Sequence, residues 1–149
     1  TRVAHQHGIK VANGGLFTQM LTYLVWEWYN NTGRKAEANW WYWNAMNDGQ
    51  RWYTKNQGDT NFGKHLANHR KLIAAYKRIP LDYINFHLYE PLNQTTGDGV
   101  HATAEALKRI TEYLKTVTGK AVINNELGQK NLSAELVVNM PETGHLIRH

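Results

Sequence analysis

The chain has 149 residues, 17 Lys and Arg against 12 Asp and Glu, a formal net charge of +5 and no cysteine. At 42% hydrophobic and 19% charged it has the composition of one globular domain rather than of a disordered segment. No apolar run approaches the roughly 18 residues of a membrane span, and the lack of cysteine excludes a disulfide scaffold and thiolate zinc sites while leaving the compartment open.

No charged-plus-apolar leader follows Thr1, and Gly144 to His149 carry neither a cap nor a turn, so both ends read as cut. Ile9-Lys10-Val11-Ala12-Asn13-Gly14-Gly15 is an extended run stopped by a glycine pair, which predicts a strand at about 8–13. A Trp-rich helical insertion is expected at about 18–60. Phe62, Leu66, Ile73 and Tyr76 then fall on one helical stripe that Pro80 closes. The next strand, at about 83–89, alternates: Ile84, Phe86 and Leu88 point one way, and Tyr83, Asn85, His87 and Tyr89 the other. Ala104, Leu107, Ile110, Leu114 and Val117 repeat at helical spacing before Gly119. A third strand at about 121–126 starts apolar and ends polar. A last helix is expected from Leu132 to Val138, with Ser133 as cap and Pro141 as stop.

Strands that alternate with helices need crossovers, and crossovers make a parallel sheet. The expected class is therefore α/β. The interval from Glu90 to Glu126 is that of one βα unit, which makes the second and third strands neighbours. Three βα units do not close a (β/α)8 barrel, which needs more than about 200 residues. The sequence is then either part of such a barrel or a complete small doubly wound domain.

The chemistry gathers at strand ends. Glu126, within Asn124-Asn125-Glu126-Leu127-Gly128-Gln129, ends a parallel strand, where a carboxylate faces a barrel mouth or a switch-point crevice; the plainer reading is a capping Glu. Asn85, His87 and Tyr89 would project inwards on the neighbouring strand. A single such His is ordinarily a satisfied core residue, but a His and a Tyr two residues apart beside a strand-end Glu favour function. A Tyr hydroxyl donating to a carboxylate keeps it ionised and aimed.

Ile9 to Gly15, Phe86-His87-Leu88-Tyr89 and Asn125-Glu126-Leu127-Gly128-Gln129 together resemble the fifth, sixth and seventh strands of the clan A glycoside hydrolases, retaining (β/α)8 enzymes of the cellulase kind. The resemblance implies a partial TIM barrel, with Glu126 as catalytic nucleophile and Tyr89 orienting it. It implies His87 and Asn125 as binders of substrate hydroxyls, with Asn13 at the rim. Retaining hydrolysis also needs an acid/base carboxyl group, which in this clan ends the fourth strand, upstream of Thr1. Glu90-Pro91 echoes that motif, but with Tyr89 in place of its Asn and on the strand next to the nucleophile's, which leaves Glu90 a secondary candidate for the acid.

Trp26, Trp28, Trp40, Trp41, Trp43 and Trp52 crowd one segment too densely for one helix face. Most are expected to pack a helical subdomain, with Trp40 and Trp43 the candidates for a sugar-stacking wall. Arg34, Lys35, Arg51 and Lys55 would either bond hydroxyls or be solvated. His65 and His69 stand at i,i+4 with no third ligand apparent, and read as surface histidines rather than a metal face. The basic cluster from Lys64 to Arg78 reads as a solvated helix face. No metal, cofactor, nucleic acid or membrane partner is expected. The reading is a retaining glycosidase acting on a β-linked oligo- or polysaccharide, incomplete in this chain. Its alternatives are a non-catalytic carbohydrate-binding module and a half-barrel that self-associates through exposed edges.

Overall fold

The computed structural model describes residues 1–89 and 99–127. In chain order the elements are α1 (Arg2–Gln6), β1 (Leu16–Phe17), α2 (Thr18–Asn31), α3 (Lys35–Asn44), α4 (Asp48–Lys55), α5 (Asn61–Arg78), β2 (Tyr83–Leu88), α6 (Gly99–Thr118) and β3 (Ala121–Leu127). Among the described residues these are six helices and one parallel sheet of order β1-β2-β3, an α/β architecture. The helix expected from Leu132 to Val138 lies outside the described residues, as does Glu90.

The apolar half of the β2 alternation makes the floor of the core. Ile84, Phe86 and Leu88 are each at most 1% exposed, and with Leu16 and Val122 they join Leu21, Leu24 and Val25 of α2, Leu66 and Ile73 of α5, and Leu107, Ile110 and Leu114 of α6 in one cluster. Burying each such Leu or Ile contributes roughly 1.5–3 kcal/mol. The helical stripe expected over Phe62 to Tyr76 is α5, started by Thr60, whose hydroxyl accepts from Gly63 N at 3.0 Å. α4 begins with a capping box, the Asn47 side chain accepting from Gln50 N and the Gln50 side chain from Asn47 N, both at 2.9 Å. Gly119, in the left-handed region at φ 70°, ends α6 as its position suggested.

The first strand differs from expectation. Residues 8–13 form no strand, making only an isolated backbone bridge from Ala12 to Tyr83, and the paired strand is the dipeptide Leu16–Phe17. The cause is Asn13. Its carboxamide donates to Asn85 O at 2.9 Å and accepts from Asn85 N at 2.6 Å, occupying both backbone groups that a ladder would have used. Gly15, at φ 105°, then redirects the chain before pairing resumes. Upstream, Asp82 fastens the same segment by accepting from Val11 N and pairing with His5 Nε2, each at 2.7 Å.

The Trp-rich stretch is helical as expected, forming α2, α3 and α4. Its first helix is no appendage: α2 packs on β1, β2, α5 and α6. Trp41 is fully buried and donates its indole N–H to Thr22 O at 2.7 Å. Trp26, Trp28 and Trp40 are partly buried against the core, while Trp43 and Trp52 are exposed.

Candidate active site at the C-terminal end of the sheet

From Asn85 onward the polar half of β2 opens progressively along the strand. Asn85 is buried, the His87 side chain is 13% exposed, and Tyr89, just past the strand, is 53% exposed. Polar groups thus come within reach of solvent at the C-terminal end of the parallel strands, where the fold class places ligands.

Glu126 reaches this face through a bulge. Ile84 pairs with Val122 and Phe86 with Asn124, so an uninterrupted ladder would set Glu126 opposite Leu88, on the face packed into the core. The register shifts between Phe86 and His87 instead, leaving Asn125 as the extra residue and placing Glu126 opposite His87. Asn125 N donates to Asn85 Oδ1 at 3.3 Å and Asn124 Nδ2 to Phe86 O at 2.9 Å, which fixes the bulge from both sides.

The bulge brings three predicted residues together. Tyr89 donates its phenol hydrogen to Glu126 Oε2, and His87 Nδ1 lies 3.4 Å from the same oxygen. The Tyr89 phenol is held above the usual tyrosine range, first by this hydrogen bond, then by desolvation and by the nearby negative charge. His87 is positioned from behind. Its backbone carbonyl accepts from the Thr18 hydroxyl, and its ring lies against Gly15 where any Cβ would collide with the imidazole. Gly15 is thus required twice, by its φ and by the ring. Among the described residues His87 Nε2 is buried without a hydrogen-bond partner. A proton on Nδ1, facing the carboxylate, leaves Nε2 a bare acceptor.

Beside this trio lies a cleft of about 260 Å³ lined by Phe17, Thr18, Gln19, His87 and Tyr89. Phe17, Thr18 and Gln19 were not singled out in the sequence; the dipeptide strand that places them was not legible there. Phe17 is 64% exposed. With Tyr89 it gives the cleft two aromatic side chains, and Gln19 adds a carboxamide.

The other predicted residues are placed elsewhere. Asn13 is committed to the Asn85 backbone, and Asn125 is the bulge residue, its Oδ1 buried without a partner among the described residues. Trp40 lies under the Arg109 guanidinium, 4.4 Å from its ring centroid, and Trp43 packs edge-on against Tyr42 at 4.9 Å. Neither lines the cleft beside Glu126. Both rings belong to α3, which carries Trp43 to a cleft with a different lining. His69 is buried rather than on the surface, with Nδ1 2.9 Å from His65 O, and no group of three metal-binding side chains occurs among the described residues. The basic run on α5 is partly paired, Arg70 with Glu27 at 2.6 Å. No described helix is long and apolar enough to cross a membrane.

No protein-family model, curated protein or solved structure matches the chain.

Proposed function

We propose that the chain carries part of a retaining (β/α)8 glycoside hydrolase, with Glu126 as nucleophile on a β-linked oligo- or polysaccharide. The observation that carries the reading is the carboxylate at the C-terminal end of a parallel strand, hydrogen-bonded by Tyr89 and 3.4 Å from His87. The polar side chains Asn85 and His87 alternate with the apolar residues that enter the core, and the bulge sets Glu126 opposite His87, as they would stand if they faced a barrel interior.

In the first step a Glu126 oxygen attacks the anomeric carbon. The bond from that carbon to the leaving oxygen breaks, and an acid carboxyl group protonates the leaving oxygen. Water then cleaves the glycosyl ester, returning Glu126 as a carboxylate and the proton to the acid. Tyr89 aims the nucleophile through its hydrogen bond, and His87 flanks the same carboxylate oxygen from the strand while its Nε2 stays buried against Gly15. Among the described residues no second carboxyl group touches the trio, so the acid is Glu90 or a group outside them. That same observation favours a second reading, a carbohydrate-binding module that uses the cleft without cleaving.

Incubation with 2-fluoro glycosides followed by peptide mass spectrometry separates the two. The hydrolase reading requires a glycosyl adduct on Glu126 that disappears in Glu126→Gln. Sugar binding that survives Glu126→Gln, with no adduct in the parent, overturns it in favour of the module. The self-associating half-barrel is a further proposal: β1 and β3 each have one strand neighbour among the described residues, and a solution mass twice that of the chain would support pairing with a second copy.

A further inference from the structure

A second cleft, about 350 Å³ in volume, opens where α2, α3 and α4 converge, and it shares no lining residue with the cleft beside Glu126. Helical spacing builds it. Trp26 and Asn30 are one turn apart on α2, Lys35, Asn39 and Trp43 follow one another at i,i+4 along α3, and Lys55 closes α4. The small side chain of Ala38 leaves the room between them.

Three features of the lining point to one kind of ligand. Trp43 remains 59% exposed although Tyr42 packs edge-on against its ring and the Arg51 guanidinium lies 5.8 Å from the ring centroid. The charged lining groups are both cationic, and no described carboxylate pairs with either lysine; the nearby Glu27, Glu37 and Asp48 are taken by Arg70, Arg34 and Arg51. Two carboxamides complete it: the exposed Asn39, and Asn30, one of whose Nδ2 hydrogens is donated to Trp26 O at 3.0 Å. Lys35 Nζ lies 3.1 Å from Asn30 Oδ1, so these groups already form a polar rim.

We propose that this cleft binds an acidic oligosaccharide, one whose pyranose rings carry carboxylates. The CH face of a pyranose lies flat on an indole. Carboxamides both donate and accept, matching hydroxyls that do the same, and the two ammonium groups take the carboxylates in charge-assisted hydrogen bonds. An acidic peptide such as oligoglutamate would also meet the lysines and the amides, but it has no ring to lay on the indole. The site stands apart from Glu126, so its occupancy does not depend on hydrolysis.

The test is calorimetric titration of the whole chain, and of Glu126→Gln, with tetragalacturonate, cellotetraose and tetraglutamate. Tetragalacturonate is expected to bind saturably to both proteins, at least about tenfold more tightly than either comparator. Trp43→Ala and the double variant Lys35→Gln/Lys55→Gln should each weaken it about tenfold, since charged hydrogen bonds and aromatic contacts are of that size. Phe17→Ala, in the other cleft, should leave it unchanged. All these side chains are exposed, and circular dichroism checks that the variants fold. Equal binding of tetraglutamate makes the cleft a peptide or general anion surface, and equal binding of cellotetraose removes the role of charge. Loss in Phe17→Ala, indifference to the Trp43 and lysine variants, or no binding at all overturns the proposal outright.

Discussion

Glu126, Tyr89 and His87 form a contact set in which the Tyr89 phenol is shifted. The Tyr89 phenol is raised because its neutral form donates to the Glu126 carboxylate, an interaction that ionisation would replace with repulsion between two anions. A group whose pKa is higher folded than unfolded stabilises the fold fully below its ordinary value. That contribution is lost as pH rises through the raised value, so the pair weakens only in the alkaline range, above ordinary tyrosine ionisation. Replacing Glu126 by Gln should therefore bring one phenol down towards the ordinary range in an ultraviolet titration, with no such change in a Tyr89→Phe background. Identical titration curves for the parent and Glu126→Gln would dissolve the pairing. The set was legible because strand alternation put His87 and Tyr89 on one side and composition put Glu126 at a strand end. Gly15 gave only a turn signal, because contact between its Cα and a ring more than seventy residues away leaves no local trace.

Among the elements, the aromatic helices carry unequal weight. Trp41 is fully buried and holds Thr22 O, Tyr29 packs edge-on to it at 6.4 Å, and Arg34 lies over Tyr29 at 4.6 Å while pairing with Glu112 of α6. Trp52 is 56% exposed. Trp41→Ala should cost about 3–5 kcal/mol in urea unfolding, whereas Trp52→Ala should stay within about 0.5 kcal/mol. Comparable losses at the two positions would mean that the burial contrast is wrong. Residue density in the sequence already required some rings to be buried and others accessible. Which ring went where depended on how α3 crosses α2, a tertiary angle that i,i+3 and i,i+4 spacing cannot supply because Trp40, Trp41 and Trp43 between them point to most of the helix circumference.

At the scale of the whole molecule, one hydrophobic cluster runs from the sheet through α2 and α3 to α5 and α6. A single core of this kind unfolds as a unit. All six tryptophans lie between residues 26 and 52, so their fluorescence reports α2–α4, while far-ultraviolet dichroism reports every helix. The two signals should change at one denaturant concentration. An earlier fluorescence transition would make the Trp-rich helices a separately folding insertion.

The sequence by itself determined the α/β class, the parallel β2–β3 pair and the helices that carry the stripes Phe62 to Tyr76 and Ala104 to Val117, because hydrophobic period and helix signals act over a few neighbouring residues. It also set the residue types at the site. Only the tertiary structure decided which face Glu126 occupies. Strict alternation from Val122 and Asn124 would send it into the core beside Leu88, and one extra residue, Asn125, turns it towards His87 and Tyr89. With a side-chain period of two, a single unpaired residue reverses everything after it, and whether a residue is left unpaired is settled by the neighbouring strand and not by its own sequence.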